Sequence, residues 1–248
     1  MDRRRERAGR DVPEPASGGR KKKTRFGIMT QVMSPLETGE LRKFLGAGTL
    51  SRVVVPRFTG PVALEQDDLH YPGNTFSDRD ARAAMYVASL LGCVIKSDRI
   101  RIEAPDAANA LNNNGPCFLI GSRSNSVTLR VLANEAAPLF SFQFGESWTI
   151  STRDGTQYSL PDPSLLDRSA YTAQTDYGVV ARLHGQGHRQ FVIAGLGSRA
   201  TEGCAYYFSK HWRDLSKRFK NSDFAVVLRF PAPLDPAHCE PVDWLSGN

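Results

Sequence analysis

Cysteine is scarce in this chain, with four residues among 248. So few cysteines exclude a small fold that is held together by disulfide bonds. No apolar run approaches the roughly 20 residues that a helix needs to cross a bilayer, so we expect no transmembrane span. The segment MDRRRERAGR contains no apolar core of a secretory signal peptide, and we therefore expect a cytoplasmic protein.

Several motifs of catalytic and metal sites are also missing. The sequence contains no G-x-S-x-G nucleophile elbow and no Walker A loop with its Lys-Ser/Thr ending. No Cys pair has the spacing of zinc ligands, and no third ligand in the sequence accompanies His184 and His188, so we predict no metal. The sequence therefore identifies no cofactor, and it leaves open whether the protein is an enzyme.

The excess positive charge is confined to residues 1–25. The chain has 32 Lys and Arg against 26 Asp and Glu, a formal net charge of +6. Residues 1–25 contain ten of the bases and four of the acids, which leaves 22 of each sign in residues 26–248. This basic tail is rich in Pro, Gly and Ser and nearly free of apolar residues, so we expect it to be disordered. It could bind nucleic acid by releasing counterions, or it could serve only as a solubilising linker.

Strands and helices alternate along residues 26–232. Val53–Val55 is a run of three β-branched residues and indicates a buried strand. The apolar residues of Asp78–Leu91 recur with helical spacing, and Ser77 precedes them as an N-cap. The same reasoning predicts strands at Cys93–Ile95, Cys117–Ile120, Tyr177–Leu183, Gln190–Ala194 and Phe224–Phe230, and a long helix at Thr201–Phe219.

This order of elements predicts an α/β fold. We expect a Rossmann-like three-layer sandwich with a mostly parallel sheet and an inserted antiparallel β-hairpin. The hairpin is predicted at about 139–160, because Phe140, Phe142 and Phe144 alternate with polar residues and Asp154-Gly155 marks a turn. One domain over 26–232 is then followed by an irregular C-terminal tail over 233–248.

Two predicted strand-to-helix loops repeat the order Gly-Ser-Arg. Glycine lets a backbone approach a ligand closely, a helix N-terminus offers unpaired amides, and arginine binds phosphate with a forked cation. Ligands bind outside the carboxyl ends of parallel strands, so the two loops predict a divided site for a small phosphorylated ligand such as a nucleotide. The predicted binding residues are Gly121, Ser122, Arg123, Asn125, Gly195, Gly197, Ser198, Arg199 and Thr201.

The same loops also allow a purely structural interpretation. The glycines would then only permit turns, and the polar residues would cap the helices that follow. Glu202 is the candidate catalytic carboxylate, as a general base or as a partner of a ribose hydroxyl. An acid at this position also complements the dipole of the helix, which needs no catalytic role.

Three short motifs carry a family resemblance: Gly121-Ser-Arg-Ser-Asn125, Asp176-Tyr177-Gly178, and Ala194-Gly195 before Thr201-Glu-Gly203. Together they resemble a loose set of bacterial Rossmann-like domains that occur in signalling, regulatory and conflict-related proteins. The resemblance implies the fold and assigns no catalytic residue. Ala200-Thr201 stands where the pattern of these domains has Gly-Thr.

Three functions remain open on the sequence. The first is a cytoplasmic domain that binds a nucleotide or another phosphorylated ligand and acts as a sensor or signalling effector. The second is a hydrolase of nucleotides or glycosidic bonds that uses Glu202. The third is an interaction module whose basic tail binds nucleic acid, and the sequence is also compatible with a protein partner or a homo-oligomer.

Overall fold

The computed structural model describes residues 33–46, 50–56, 77–105, 115–185, 188–233 and 235–247. These residues all belong to one compact unit, Met33–Asn248. The basic tail over residues 1–25, which we predicted to be disordered, lies outside the described residues.

The described residues contain five α-helices and ten β-strands. The helices are α1 (Pro35–Leu45), α2 (Asp78–Gly92), α3 (Ser126–Ala133), α4 (Arg168–Thr172) and α5 (Ser198–Phe219). The strands are β1 (Ser51–Val54), β2 (Ile100–Glu103), β3 (Cys117–Ile120), β4 (Phe140–Phe144), β5 (Ser147–Thr152), β6 (Gln157–Pro161), β7 (Asp176–Gly185), β8 (His188–Gly195), β9 (Phe224–Phe230) and β10 (Glu240–Ser246).

Seven strands form a mixed sheet in the order β10-β9-β7-β8-β3-β1-β2. Strands β2, β1, β3 and β8 pair in parallel, whereas β8, β7, β9 and β10 pair antiparallel. Strands β4, β5 and β6 form a second sheet that is antiparallel throughout. Antiparallel pairings therefore outnumber parallel ones among the described strands. The prediction of a mostly parallel Rossmann-like sandwich is wrong, and the fold is mixed α/β.

The cause of this error lies in β7 and β8. Only two residues separate Gly185 from His188, whereas a crossover between parallel strands needs a dozen or more. The pair is consequently a hairpin, and β9 joins the sheet beside β7 rather than beside β8. Strands that are buried on both faces read as continuous apolar runs whatever their direction. The apolar runs thus predicted burial correctly and strand direction incorrectly.

Each face of the large sheet is covered by a separate hydrophobic core. Helices α1, α2 and α5 pack on one face, where Phe118, Phe191 and Phe208 form a group of aromatic rings in contact. Helix α3 and the small sheet cover the other face, with Val131 and Phe140 among the buried side chains. Helix α5 begins shortly after β8, and α2 ends shortly before β2, so these two helix ends lie at opposite ends of the parallel strands.

Two further boundaries differ from the sequence predictions. The insertion that we predicted as a hairpin over about 139–160 contains three strands, β4 to β6, and so forms a sheet of its own. The C-terminal segment that we predicted to be irregular contains β10, which pairs with β9 at the edge of the large sheet. In β10 only Leu245 is buried, so its sequence carries little of the apolar alternation that signals a strand.

Candidate functional site

The two glycine loops meet at one edge of the large sheet. Strands β3 and β8 are parallel neighbours, so the loops that follow them lie side by side. The Gly121 amide donates to the Ile193 carbonyl at 3.0 Å, and the Ser122 hydroxyl donates to the Gly195 carbonyl at 2.7 Å. The sequence therefore placed the two loops together correctly.

The polar groups of the first loop bond within the protein. Asn125 is fully buried, and its amide nitrogen donates to the carbonyls of Val54 (3.2 Å) and Ile120 (2.8 Å). Its side-chain oxygen accepts from the amides of Val127 and Thr128 and so caps α3. Asn125 thereby joins β1, β3 and α3, which is the structural role that the sequence left open.

A carboxylate of the chain itself occupies the beginning of α5. Asp176 Oδ1 accepts from the amides of Gly197 (3.1 Å) and Tyr177 (2.7 Å). Asp176 Oδ2 accepts from the Tyr171 hydroxyl at 2.8 Å, and the Tyr171 oxygen accepts from the Arg199 amide at 3.3 Å. A helix N-terminus attracts an anion, and here Asp176 takes the place in which we predicted a ligand phosphate.

This arrangement explains the glycine at position 197. A Cβ atom there would lie 2.1 Å from the Tyr171 hydroxyl oxygen and 2.5 Å from Asp176 Oδ2, so only glycine fits. Burial raises the pKa of Asp176 to about 6. The hydrogen bonds from Tyr171, Gly197 and Tyr177 lower the pKa, but their effect is smaller than that of burial. Burial and the nearby charge of Asp176 raise the pKa of the Tyr171 hydroxyl.

The remaining predicted binding residues diverge. The guanidinium of Arg123 lies over the Trp148 ring at 5.2 Å, and that of Arg199 lies over the Tyr171 ring at 5.8 Å. Thr201 is buried, and its hydroxyl donates to the carbonyl of Gly197, whereas Ser198 is exposed. The two arginines thus stack on different rings, and a phosphate site formed by these residues stays a prediction.

Glu202 is the fifth residue of α5, just past its first turn, and both of its oxygens face guanidinium groups of α2. Glu202 is 4% exposed, its Oε2 accepts from Arg79, and its Oε1 lies 3.7 Å from Arg82. These contacts join α2 to α5, which is a packing role. Asp80 in the first turn of α2 is also buried, and burial raises its pKa to about 6.

Basic side chains surround two cavities at the opposite edge of the sheet, near the C-terminal ends of α1, α2 and α5. The first, which we call the α2 cavity, has a volume of about 600 Å³ and is lined by Arg42, Lys96 and Arg99. The second, the α5 cavity, has a volume of about 330 Å³ and is lined by Lys43, Arg213, Lys217 and Lys220, together with Glu40, Phe44, Trp212, Ser216 and Asn221.

The two cavities are adjacent through α1. Arg42 and Lys43 are consecutive residues of its last turn, and each lines a different cavity. Arg42 also donates to the Val94 carbonyl at 2.6 Å, which ties the end of α1 to the chain beyond α2. We call the six exposed cations of this edge the basic rim: Arg42, Lys43, Lys96, Arg99, Lys217 and Lys220.

The basic rim escaped the sequence analysis because its members come from three separate segments. No two of those segments are close in sequence, and residues 26–248 carry no net charge that would have signalled a basic surface. Among the described residues that line the two cavities, Glu40 is the only carboxylate. The useful signal would have been pairs of cations at helix ends, such as Arg42-Lys43 and Lys217-Arg218.

Comparisons with known proteins supply no relative. Neither the models of known protein families nor the curated protein sequences match this chain. Among the described residues, no three His, Cys, Asp or Glu side chains are grouped as a metal site. The described helices include none with the length and apolar character of a membrane span.

Proposed function

We propose that the protein binds the phosphate backbone of a nucleic acid, and that the basic rim is part of the binding surface. The observation that carries this proposal is the position of Arg42 and Lys43, which line cavities on the two sides of one helix end. Cations spread over both sides of a helix end suit a ligand that presents charges in a row, as the phosphates of a strand do.

The charge distribution supports the same conclusion. Residues 26–248 contain equal numbers of basic and acidic side chains, whereas the described lining of the two cavities holds seven Lys and Arg residues and one carboxylate, Glu40. A local positive surface raises the concentration of a polyanion even when the rest of the body is neutral. Residues 1–25 add a net charge of +6 to the chain, and their basic side chains provide the same kind of contact.

The usual structural explanation covers only part of the rim. Cations in the last turn of a helix complement its dipole, which accounts for Arg42, Lys43 and Lys217. It does not account for Lys96 and Arg99, which lie beyond the end of α2 and line the larger cavity. These two residues are therefore the best test of the proposal.

The other two functions have less support. A nucleotide at the glycine loops would meet the Asp176 carboxylate, which already accepts the Gly197 amide at the beginning of α5. A hydrolase that uses Glu202 would need a free carboxylate, whereas both oxygens of Glu202 face arginine side chains. We therefore place nucleic-acid binding at the basic rim ahead of both.

A binding measurement with matched variants tests the proposal. The full chain and the variant Lys96→Gln/Arg99→Gln are titrated against a labelled duplex of about 20 base pairs and a single strand of similar length. The control is Arg130→Gln/Lys210→Gln, which removes two exposed cations from α3 and the middle of α5. We expect the rim variant to weaken binding at least about fivefold and the control to change it less than about twofold. Equal affinities of the two variants, or no binding by the full chain, would contradict the proposal.

A further inference from the structure

A buried arginine lies behind the α5 cavity. Among the described residues no carboxylate forms a salt bridge with it, although the negative charge of Asp223 acts on it and raises its pKa. Arg182 is 0% exposed, and its guanidinium carbon lies 5.2 Å from the ring centre of Phe44 and 5.1 Å from that of Phe224. Its Nη2 donates to the carbonyls of Lys220 (2.7 Å) and Ser222 (2.5 Å). Its Nε and Nη1 have no hydrogen-bond acceptor among the described residues.

The charge of Arg182 acts on the cavity because the two share a wall. Phe44 and Lys220, which contact Arg182, both line the α5 cavity. Burial and the charge of Arg189 lower the pKa of Arg182 to about 10, so its guanidinium stays protonated at neutral pH. Charges interact strongly through a protein interior, where the dielectric constant is low, so a buried cation favours an anion in the adjacent cavity.

The backbone of Lys220 is an independent sign of a functional position. Lys220 has a φ of +48° at the C-terminal end of α5, and no other described residue except glycine has a positive φ. Glycine is the usual residue in such a conformation, because a Cβ atom there is strained. Strain of this kind is often found at functional sites, and here the strained residue is one of those that line the cavity.

Cations in the last turn of a helix usually neutralise its C-terminal carbonyls, and at the end of α5 Arg182 supplies part of this interaction. It bonds from the interior to carbonyls at the end of α5, so Lys217 and Lys220 are less needed to neutralise the end of the helix. Arg213 is paired with Glu37 at 2.5 Å, which leaves Lys43, Lys217 and Lys220 as the cations that face the cavity with Glu40. The volume of about 330 Å³ is at the lower end of the range for small-ligand sites.

We infer that the α5 cavity binds a phosphate monoester, either the terminal phosphate of a nucleic acid strand or that of a free nucleotide. If the monoester is the terminal phosphate of a strand, the inference rests on the proposed function. A monoester carries between one and a half and two negative charges at pH 7, whereas an internal phosphate of a strand carries one. The cluster of lysines and the buried guanidinium therefore favour the monoester over an internal phosphate.

The test compares oligonucleotides that differ only at the 5′ end. A 5′-phosphorylated and a 5′-hydroxyl strand are titrated against the full chain, and inorganic phosphate and a nucleoside 5′-monophosphate are titrated in parallel while the backbone amide signals of Lys220 and Asn221 are followed by NMR. We expect the phosphorylated strand to bind at least about fivefold more tightly, and the monophosphate to shift both signals.

Lys220→Gly separates a binding role from a structural role. Glycine relieves the positive φ, so the variant should unfold at an equal or higher temperature than the native chain. The same variant should lose the preference for the phosphorylated end, whereas the control Lys210→Gln should keep it. Arg182→Met should reduce the preference as well, and the Lys220 variant decides the matter if Arg182→Met fails to fold.

The outcomes distinguish this inference from the proposed function. Equal affinity for the two strand ends, with no shift of the Lys220 and Asn221 signals by either small phosphate, would overturn the inference and leave nucleic-acid binding intact. Failure of both strands to bind, with a shift by the monophosphate that Lys220→Gly abolishes, would overturn the proposed function and support the inference with a free nucleotide as the source. A preference for the phosphorylated end that Lys220→Gly preserves would also overturn the inference.

Discussion

The carboxylate of Asp176 accepts a hydrogen bond from the amide of Gly197 at 3.1 Å, at the point where α5 begins. Asp176 is the first residue of β7, and Gly197 lies just beyond the end of β8. The two positions are close because β7 and β8 pair antiparallel. The chain thereby supplies its own anion to the N-terminus of its longest described helix. This contact gives the loop after β8 a structural role, and the binding of a ligand by the same loop stays a prediction.

The first prediction concerns the pH dependence of stability. Burial raises the pKa of Asp176 from 3.8 to about 6, and it raises that of Asp80 to a similar value. Between the pKa of an unfolded aspartate, about 4, and the raised pKa of about 6, the folded state binds more protons than the unfolded state. The free energy of unfolding therefore falls as the pH rises from about 4 to about 6. Each of the two groups should contribute a fall of about 2 kcal/mol, measured by urea unfolding at a series of pH values.

Asparagine substitutions separate the two aspartates. Asp176→Asn retains an oxygen that can accept from the amides of Gly197 and Tyr177, and it removes the ionisable group. We expect each asparagine variant to show a smaller fall of the free energy of unfolding with rising pH than the native chain, by the contribution of the aspartate that it removes. A free energy of unfolding that is constant from about pH 4 to pH 7 in the native chain would contradict this account of the buried carboxylates.

The second prediction concerns Asn125, which the sequence favoured as a ligand contact and the structure places in the interior. Asn125→Ala removes the cap of α3 and leaves the carbonyls of Val54 and Ile120 without their side-chain donor. Loss of a cap together with buried hydrogen bonds should lower the free energy of unfolding by about 2–3 kcal/mol. Ser126→Ala, at the exposed neighbouring position, should change it by less than about 0.5 kcal/mol. Similar unfolding midpoints of the two variants would show that Asn125 is not a structural link.

The third prediction concerns Glu202. If its role is to join α2 to α5, Glu202→Gln should lower the free energy of unfolding by about 1–2 kcal/mol, because Arg79 loses an ionised partner. Removing Arg79 as well should then cost less than the sum of the two separate changes, which a double-mutant cycle measures. Additive effects of Glu202→Gln and Arg79→Gln would contradict the coupling.

The positions of most strands and helices could be predicted because apolar periodicity reports burial. The strand predicted at Cys93–Ile95 is wrong, since these residues form a turn after α2. The predicted strand Phe224–Phe230 coincides with β9, and the predicted helix Asp78–Leu91 differs from α2 by one residue. Strand direction could not be predicted in the same way, since β7 and β9 are buried and read alike whether parallel or antiparallel. The local signal for the antiparallel hairpin was the spacing of the predicted strands Tyr177–Leu183 and Gln190–Ala194, because the six residues between them are too few for a parallel crossover.

Some features of the candidate sites could likewise be predicted from the sequence, and others could not. The approach of the two glycine loops follows from the adjacency of β3 and β8, and the repeated Gly-Ser-Arg order indicated it. The contact of Asp176 with the beginning of α5 joins the first residue of β7 to the N-cap residue of α5, 21 positions later, and no local pattern encodes such a contact. The basic rim required the ends of three helices to meet, and the balanced charge of residues 26–248 concealed it.

The most direct test of nucleic-acid binding at the basic rim is the salt dependence of duplex affinity. The logarithm of the association constant should fall linearly with the logarithm of the salt concentration, with a slope of about −0.9 for each phosphate that the protein neutralises. For Lys96→Gln/Arg99→Gln we predict a slope that is smaller in magnitude by about 1–2, whereas Arg130→Gln/Lys210→Gln should keep the native slope. Equal slopes for the native chain and the rim variant would show that Lys96 and Arg99 contact no phosphate and would contradict the account.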